Sequence, residues 1–328
     1  MKVKTGRIAL FCFLWAAALA AQSSSSLAQP PLKSEQVKVA FSNYGMPIFT
    51  LMLARELGFF RDEQLTVEMV MMSSALAGMA LVAGDLDYST MAGQLITQAA
   101  AKAPVKVIFV NLNRPMFMFV GRPEIKAIKD LKGKAIGVGS HGAIDDLLAR
   151  RVISSGELNP EKDVTVLALG STSHRLAALK AGTIAATNLT VPYNLIVERM
   201  GYTRLGFAGD LMQPVVNGLG TSDKKLKDQP GQIKRMIRAM LKAQNHLRNH
   251  REESIQKAMA WYKFDRQAAE LAYDLLVQGM PEGGLPADEN FKVIIEQGRS
   301  RQVIKEEVPL SRVADLSILK EALREIIP

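Results

Sequence analysis

Cysteine is almost missing from this chain. The only one, Cys12, lies inside an apolar run near the N-terminus, so no disulfide framework, thiolate zinc site, iron–sulfur cluster or cysteine nucleophile can be assembled from the remainder. The fold must stand on an apolar core, and about 300 residues are enough to bury one and to make two domains. Long apolar runs are scarce as well. The run from Ile8 to Ala21 is about fourteen residues, short of the roughly 20 that a helix needs to cross a bilayer, and no later stretch replaces it. Histidine is rare at four residues: His141 and His174, read as loop residues, and His246 and His250, which sit four apart on one helical face. The latter pair lacks the glutamate that a zinc-protease helix places directly after its first histidine. It reads as part of a basic solvated face, and no metal is expected.

The residues that are present begin with Lys2, Lys4 and Arg7, followed by that apolar run and by Ser23 to Ser26, Leu27 and Ala28. This is the layout of a secretory signal peptide over residues 1–28. Those residues hold three basic side chains and no acidic one, so their removal takes the formal charge from +9 to +6. The excess is mild. Its densest stretch, Ile233 to Arg251, has no aromatic interleaving and no nucleic-acid motif, so no nucleic-acid partner is expected and a solvated helix face is.

Short apolar strands alternate with amphipathic helices through the first half. Strands are expected at Val37–Phe41, Thr66–Met71, Leu86–Thr90, Val105–Asn111 and Met116–Val120, with helices at Pro47–Leu57, Ala75–Ala83 and Gly93–Ala101 between the earlier ones. Such alternation predicts a mainly parallel sheet covered on both faces. From Ile125 the order repeats, with strands at Ala135–Val138 and Val164–Leu169 and helices at Ala143–Ser154 and Ser173–Lys180. Ser42 and Ser140 each follow a first strand, Gly84 and Gly182 each end a later helix, and both pairs are 98 residues apart. Two pseudo-equivalent lobes are therefore expected. Beyond Leu219 the chain turns helical, with segments near 232–249, 252–261, 266–276, 290–299 and 316–327.

Catalytic constellations are hard to assemble. Asp145 and Asp146 are adjacent, so on a helix they point apart and form no convergent acid pair; capping explains them as well. The glycines Gly137, Gly139 and Gly142 have dinucleotide-turn spacing, but no acidic residue follows at the end of a second strand, and no cofactor is expected. The same turns suit a ligand site. A loop leaving the carboxyl end of a parallel strand offers backbone N–H groups and small hydroxyls to polar or anionic groups. Ser42, Asn43, Tyr44, Ser73, Ser74, Ser140, His141, Gly142, Ser171 and Thr172 occupy such positions. Met46, Met71, Met72, Met91 and Met116 lie nearby, either as core or as an adaptable apolar wall.

Further runs carry a resemblance. They are Leu53-Ala54-Arg55-Glu56-Leu57-Gly58-Phe59-Phe60, then Leu65-Thr66-Val67-Glu68 and Leu81-Val82-Ala83-Gly84-Asp85-Leu86-Asp87. The second lobe adds Asp130-Leu131-Lys132-Gly133-Lys134-Ala135-Ile136-Gly137 and Ala177-Ala178-Leu179-Lys180-Ala181-Gly182. In order and spacing the chain resembles the ABC-transporter substrate-binding proteins of the sulfonate, taurine and nitrate type, which include thiamine-pyrimidine-precursor binders.

The resemblance implies a two-lobe α/β periplasmic-binding fold of type II with a helical tail. Lobe 1 would comprise 36–117 and 218–328, and lobe 2 would comprise 118–217, with crossings near Phe117–Val120 and Val216–Leu219. It also implies cleft positions at Ser42 to Tyr44, Ser73, Ser74, Met91, Ala92, Asn113, Arg114, Ser140 to Gly142, Ser171 and Thr190 to Tyr193. Where the family usually carries an acidic residue, this chain has Thr183-Ile184-Ala185-Ala186, so Arg114 and His141 are the expected partners of a ligand carboxylate or sulfonate. The implied protein is a periplasmic monomer that binds a small, anionic organic molecule without turnover and hands it to an inner-membrane permease. A receptor-presenting sensor and a thiamine-precursor enzyme on the same fold are the alternatives; the second is disfavoured by the missing cysteines.

Overall fold

Residues 34–326 are described by the computed structural model, so the expected signal peptide lies outside the described residues. The chain builds β1 (Glu35–Phe41), α1 (Phe49–Glu56), β2 (Leu65–Met71), α2 (Ser74–Ala83), β3 (Tyr88–Ser89), α3 (Ala92–Ala100) and β4 (Val105–Leu112). It then crosses to β5 (Met118–Gly121), β6 (Ala135–Val138), α4 (Ile144–Ser155), β7 (Thr165–Ala168), α5 (Thr172–Ala181), β8 (Ala186–Leu189), α6 (Tyr193–Arg199) and β9 (Thr203–Phe207). The return strand is β10 (Asn217–Ser222). Five longer helices follow: α7 (Pro230–Asn249), α8 (Arg251–Tyr262), α9 (Arg266–Gln278), α10 (Asp288–Ser300) and α11 (Ser317–Ile326).

Two five-stranded sheets result, in the orders β2-β1-β3-β10-β4 and β7-β6-β8-β5-β9. The orders superimpose when β6 stands for β1, β7 for β2, β8 for β3, β5 for β10 and β9 for β4. Four strands of each sheet share one direction, and the fifth, β10 or β5, is antiparallel to both its neighbours. That fifth strand is the one arriving from the other sheet. β4 and β9 end at the carboxyl edge of their sheets, and the next strand enters the opposite sheet from its own carboxyl edge, so it must run against its neighbours. The two carboxyl edges therefore face one another across the crossings.

The repeated turns come from the same backbone demand. Gly84 and Gly182 cap α2 and α5 with φ of 84° and 80°, the left-handed region where a Cβ is penalised. Crossings occupy 113–117 and 208–216, slightly earlier than the resemblance implies, because β5 and β10 have already joined their sheets at Met118 and Asn217. Strands β8 and β9 and helix α6 go unread in the sequence. His174 proves to be helical, in the first turn of α5.

Lobe 1 buries two clusters, one around Val37, Val39, Leu51, Phe109, Ile237 and Met240 and one around Ala40, Leu81, Leu95, Val107, Phe291 and Ile295. Lobe 2 buries Phe119, Ile136, Val138, Val152 and Ile153. A fourth cluster joins the lobes, since Phe49 and Leu53 of α1, Val120 and Leu189 of lobe 2, and Ala272, Tyr273 and Leu276 of α9 belong to it together.

The basic run on α7 is not a free solvated face. Arg238 Nη2 and Lys242 Nζ reach the buried carboxylate of Glu63 at 2.5 and 2.8 Å, Arg235 reaches Glu35 at 2.5 Å, and Lys234 pairs with Glu321 at 2.7 Å and with Glu325. His246 and His250 stack with ring centroids 4.1 Å apart, and no group of three candidate metal ligands occurs among the described residues.

Gly218 answers a different constraint. A Cβ there would stand 2.1 Å from the Phe109 carbonyl oxygen, where the β10–β4 register shifts. Gly218→Ala is expected to lower unfolding free energy by about 1–3 kcal/mol through overpacking. Gly84→Ala, with open space around its Cβ, should cost about 1–2 kcal/mol from backbone conformation alone. Urea denaturation of both variants checks this, and a neutral Gly218→Ala would show that the close approach is relieved cheaply.

Candidate functional site

The lobe-1 wall of the cleft is made of strand ends. Ser42, Asn43 and Tyr44 follow β1 and are exposed. Asn43 Nδ2 donates to Ser42 Oγ at 3.2 Å, and the Tyr44 ring, 62% exposed, meets the Phe41 ring edge-on at 4.8 Å. After β2, Ser73 stands at the N-cap of α2 without a side-chain capping bond, so its hydroxyl is not consumed by the helix. Ser74 is the first helical residue and half-buried.

Beneath this edge runs a buried amide ladder. Gln244 Nε2 donates to Asn111 Oδ1 at 3.2 Å, Asn111 Nδ2 to Asn217 Oδ1 at 3.3 Å and to the Pro47 carbonyl at 3.1 Å, and Asn217 Nδ2 to the Thr90 carbonyl at 3.0 Å. Each amide is satisfied by the next, which fixes the ends of β3, β4 and β10 and the loop after β1 as one unit. Met46, Met91 and Met116 are buried in core clusters, Met72 is half-buried and Met71 is 63% exposed. Core packing therefore accounts for three of the five methionines.

The lobe-2 wall is organised around two buried carboxylates. Asp145 and Asp146 occupy the first turn of α4 and point apart, as their adjacency requires. Asp145 Oδ2 accepts from the Gly139 N–H and from Arg175 Nη1, the latter at 2.8 Å. Burial pushes the Asp145 carboxyl above its usual range against the pull of Arg175, whose own guanidinium burial pulls down. Asp146 Oδ2 accepts from the Gly142 N–H at 2.7 Å, and its Oδ1 accepts from Arg150 Nε at 2.6 Å.

The Gly142 N–H, expected for a ligand, and the neighbouring Gly139 N–H are thus taken by the helix's own carboxylates. What the loop leaves accessible is Ser140, His141 and Gly142, all exposed. Ser171 caps α5, accepting from the His174 N–H at 3.3 Å, and lies 2.8 Å from Ser173 Oγ, while Thr172 Oγ1 accepts from Arg175 at 3.2 Å. Thr190 and Tyr193 are half-buried at the end of β8 and the start of α6.

Arg114 and Asn113 lie in the first crossing and are occupied there. Arg114 donates to Asp210 at 2.7 Å, to Gln278 at 3.0 Å and to the Gly209 carbonyl at 3.3 Å, and its guanidinium lies 5.2 Å from the Phe207 ring centroid. Asn113 Nδ2 donates to Asn290 Oδ1 at 3.2 Å, and Asn290 Nδ2 reaches the Gln213 carbonyl in the second crossing at 2.6 Å. These residues tie the two crossings together. Arg175, Asn111, Asn217 and Asn290 escape sequence reasoning. The adjacent carboxylates of Asp145 and Asp146 are the one signal that buried cations must stand nearby.

A search against curated proteins returns no match. Among solved structures, the chain is similar to the periplasmic sulfonate-binding protein SsuA of a sulfonate ABC transporter from Methylobacillus flagellatus KT. The TM-score is 0.70 at 15% identity, over 90% of this chain and 95% of that one. It is also similar to the ligand-binding component of an ABC-type import system from Staphylococcus aureus, with TM-score 0.73 at 14% identity over 88% and 99%. The desulfurization enzyme DszB has TM-score 0.62 at 16% identity over 89% and 99%. At these identities the likeness establishes a two-lobe periplasmic-binding fold, which carries binding proteins and an enzyme alike. A sequence profile matches residues 30–262, most of the chain, and on that match the protein belongs to the NMT1-like family.

Proposed function

We propose that this protein is an extracytoplasmic solute-binding protein that captures a small organic anion between its lobes and delivers it to an ABC importer. One observation carries the reading. Two sheets of the same strand order present their carboxyl edges to each other, and each edge bears accessible hydroxyls on glycine-containing loops. The sulfonate-binding and import proteins of similar fold support it. In this reading 36–117 with 218–328 form lobe 1 and 118–217 forms lobe 2, except that Asn217 already pairs in the lobe-1 sheet as the first residue of β10, and the lobes close by hinge motion about the two crossings.

With Arg114 engaged at the hinge, the charge complement of the ligand falls to His141, and Ser42, Ser73, Ser74, Ser140 and Ser171 supply polar contacts. Binding without turnover is favoured by the lack of any cysteine beyond Cys12 and by the pairing of both lobe-2 carboxylates with arginines. The location is periplasmic and the working form a monomer. Among the described residues, no helix is long and apolar enough to cross a membrane.

A thermal-shift screen of the mature chain against alkanesulfonates, aromatic and aliphatic carboxylates, nitrate and pyrimidines tests the reading. A ligand at a hundred times its Kd adds about 2.7 kcal/mol to the folded state, a shift of several degrees. A cooperative melt unmoved by every compound would sink the anion-capture proposal.

For the compound that binds, His141→Ala is expected to weaken affinity by about 1.5–3 kcal/mol with the unliganded melt unchanged. Arg114→Ala is expected to lower the melting temperature and leave the ligand-induced shift in place. Isothermal titration beside the melts separates the two, and the reverse pattern would return Arg114 to the ligand.

A further inference from the structure

Among the described residues two ion pairs join lobe 2 to the 218–328 part of lobe 1 away from the crossings: Arg199–Asp265 at 3.0 Å, between half-exposed side chains, and Arg301–Asp146, which reaches a buried carboxylate. Arg301 follows α10, whose Phe291, Ile294 and Ile295 pack with Ala40, Leu95 and Val107 in a lobe-1 core. Its Nη1 donates to Asp146 Oδ2 in lobe 2 at 2.8 Å. The Asp146 side chain is fully buried, and that of Arg301 is 25% exposed. The guanidinium also lies against the lobe-2 loop, where a Cβ on Gly142 would stand 3.4 Å from Nη1.

We propose that Arg301 and Asp146 form a closure latch, made when the lobes meet and broken when they part. The assignment rests on the hinge-closing reading above and adds to it the group that sets the balance between open and closed forms.

The surroundings of Asp146 suit a contact that must break repeatedly. Within its own lobe the carboxylate already accepts from Arg150 Nε at 2.6 Å and from the Gly142 N–H at 2.7 Å. When Arg301 withdraws, the carboxylate keeps a cation and a backbone donor, so opening leaves no buried charge alone, the circumstance that makes a buried pair costly to rupture. Arg301 makes no other side-chain hydrogen bond among the described residues, and in the open form its guanidinium passes to water. Lobe 2 therefore stays satisfied in both states, and only the closed state gains the pair.

Helix α10 gives the latch its reach. Asn290, at the start of that helix, binds Asn113 of the first crossing and Gln213 of the second, and Arg301 lies eleven residues further on, about 16 Å along a helical rise. One rigid element thus runs from the hinge to the pair. A rotation about the crossings displaces the Arg301 end against lobe 2 while the Asn290 end stays in place.

The test is small-angle scattering on the mature chain, refolded to strip co-purified solute, for the wild type and for Arg301→Gln and Arg301→Lys. Arg301→Gln is expected to shift the radius of gyration upward and to melt as cooperatively as the wild type. Arg301→Lys, which keeps the charge, should lie between the two. Scattering from Arg301→Gln that superimposes on the wild type would overturn the latch. So would a non-cooperative melt of that variant, which would make the pair a requirement of folding. No ligand enters the measurement, so its failure is distinct from a failure of the ligand screen.

Discussion

Each sheet of this protein contains one strand that runs against its neighbours, and the functional geometry follows from that reversal. A strand arriving from the opposite sheet enters at the carboxyl edge, so β5 and β10 start where the other strands stop. The carboxyl edges are held together by the crossings that feed those two strands. In a sheet wound from parallel strands this edge carries the loops that open helices, with their free N–H groups and small polar residues. Two such edges brought face to face make a cleft, whatever residues the loops carry. The cleft therefore depends on topology first and on side chains second.

The part of the fold that sequence made legible is the part set by local chemistry. Gly84 and Gly182 end their helices in left-handed geometry, and Ser42 and Ser140 follow equivalent strands, because each turn type demands its own residues within a few positions. Strands β1, β2, β4 and β6 were readable from short apolar runs. β10 was not, although it sits near the middle of its sheet. Its Asn-Gly-Leu-Gly-Thr-Ser has little β propensity, and it is held there by pairing on both edges and by the close approach at Gly218.

Long-range polar partners were the other blind spot. The family resemblance implies a cleft role for Arg114, but its side-chain partners Asp210 and Gln278 are 96 and 164 residues away. No window of sequence contains that information. The buried amides have the same character, since Gln244, Asn111 and Asn217 satisfy one another from three separate elements. The Asp145–Asp146 doublet had a half-visible meaning. Its separation into two directions was dictated by helical geometry, while the cations that each carboxylate found, Arg175 at one and Arg150 and Arg301 at the other, depended on tertiary placement.

Rigidity and mobility are thereby assigned to different interactions. The amide ladder and the Asp145–Arg175 pair lie within single lobes and are nearly fully buried, so a change of lobe angle leaves them intact and each wall of the cleft moves as a preformed surface. The crossings are tied by Arg114, Asn113 and Asn290, and in the proposed closure the lobes rotate about that line. In the proposed closure the angle is biased by contact made when the walls approach, and at the cleft face such contact includes the pair at Asp146. Asp146 serves the Gly142 loop, its own helix and the opposite lobe through one carboxylate. The Gly142 loop and the Arg301 pair share that carboxylate, so if residues 139–142 take the ligand as proposed, a solute that reorganises them acts directly on the proposed closure equilibrium.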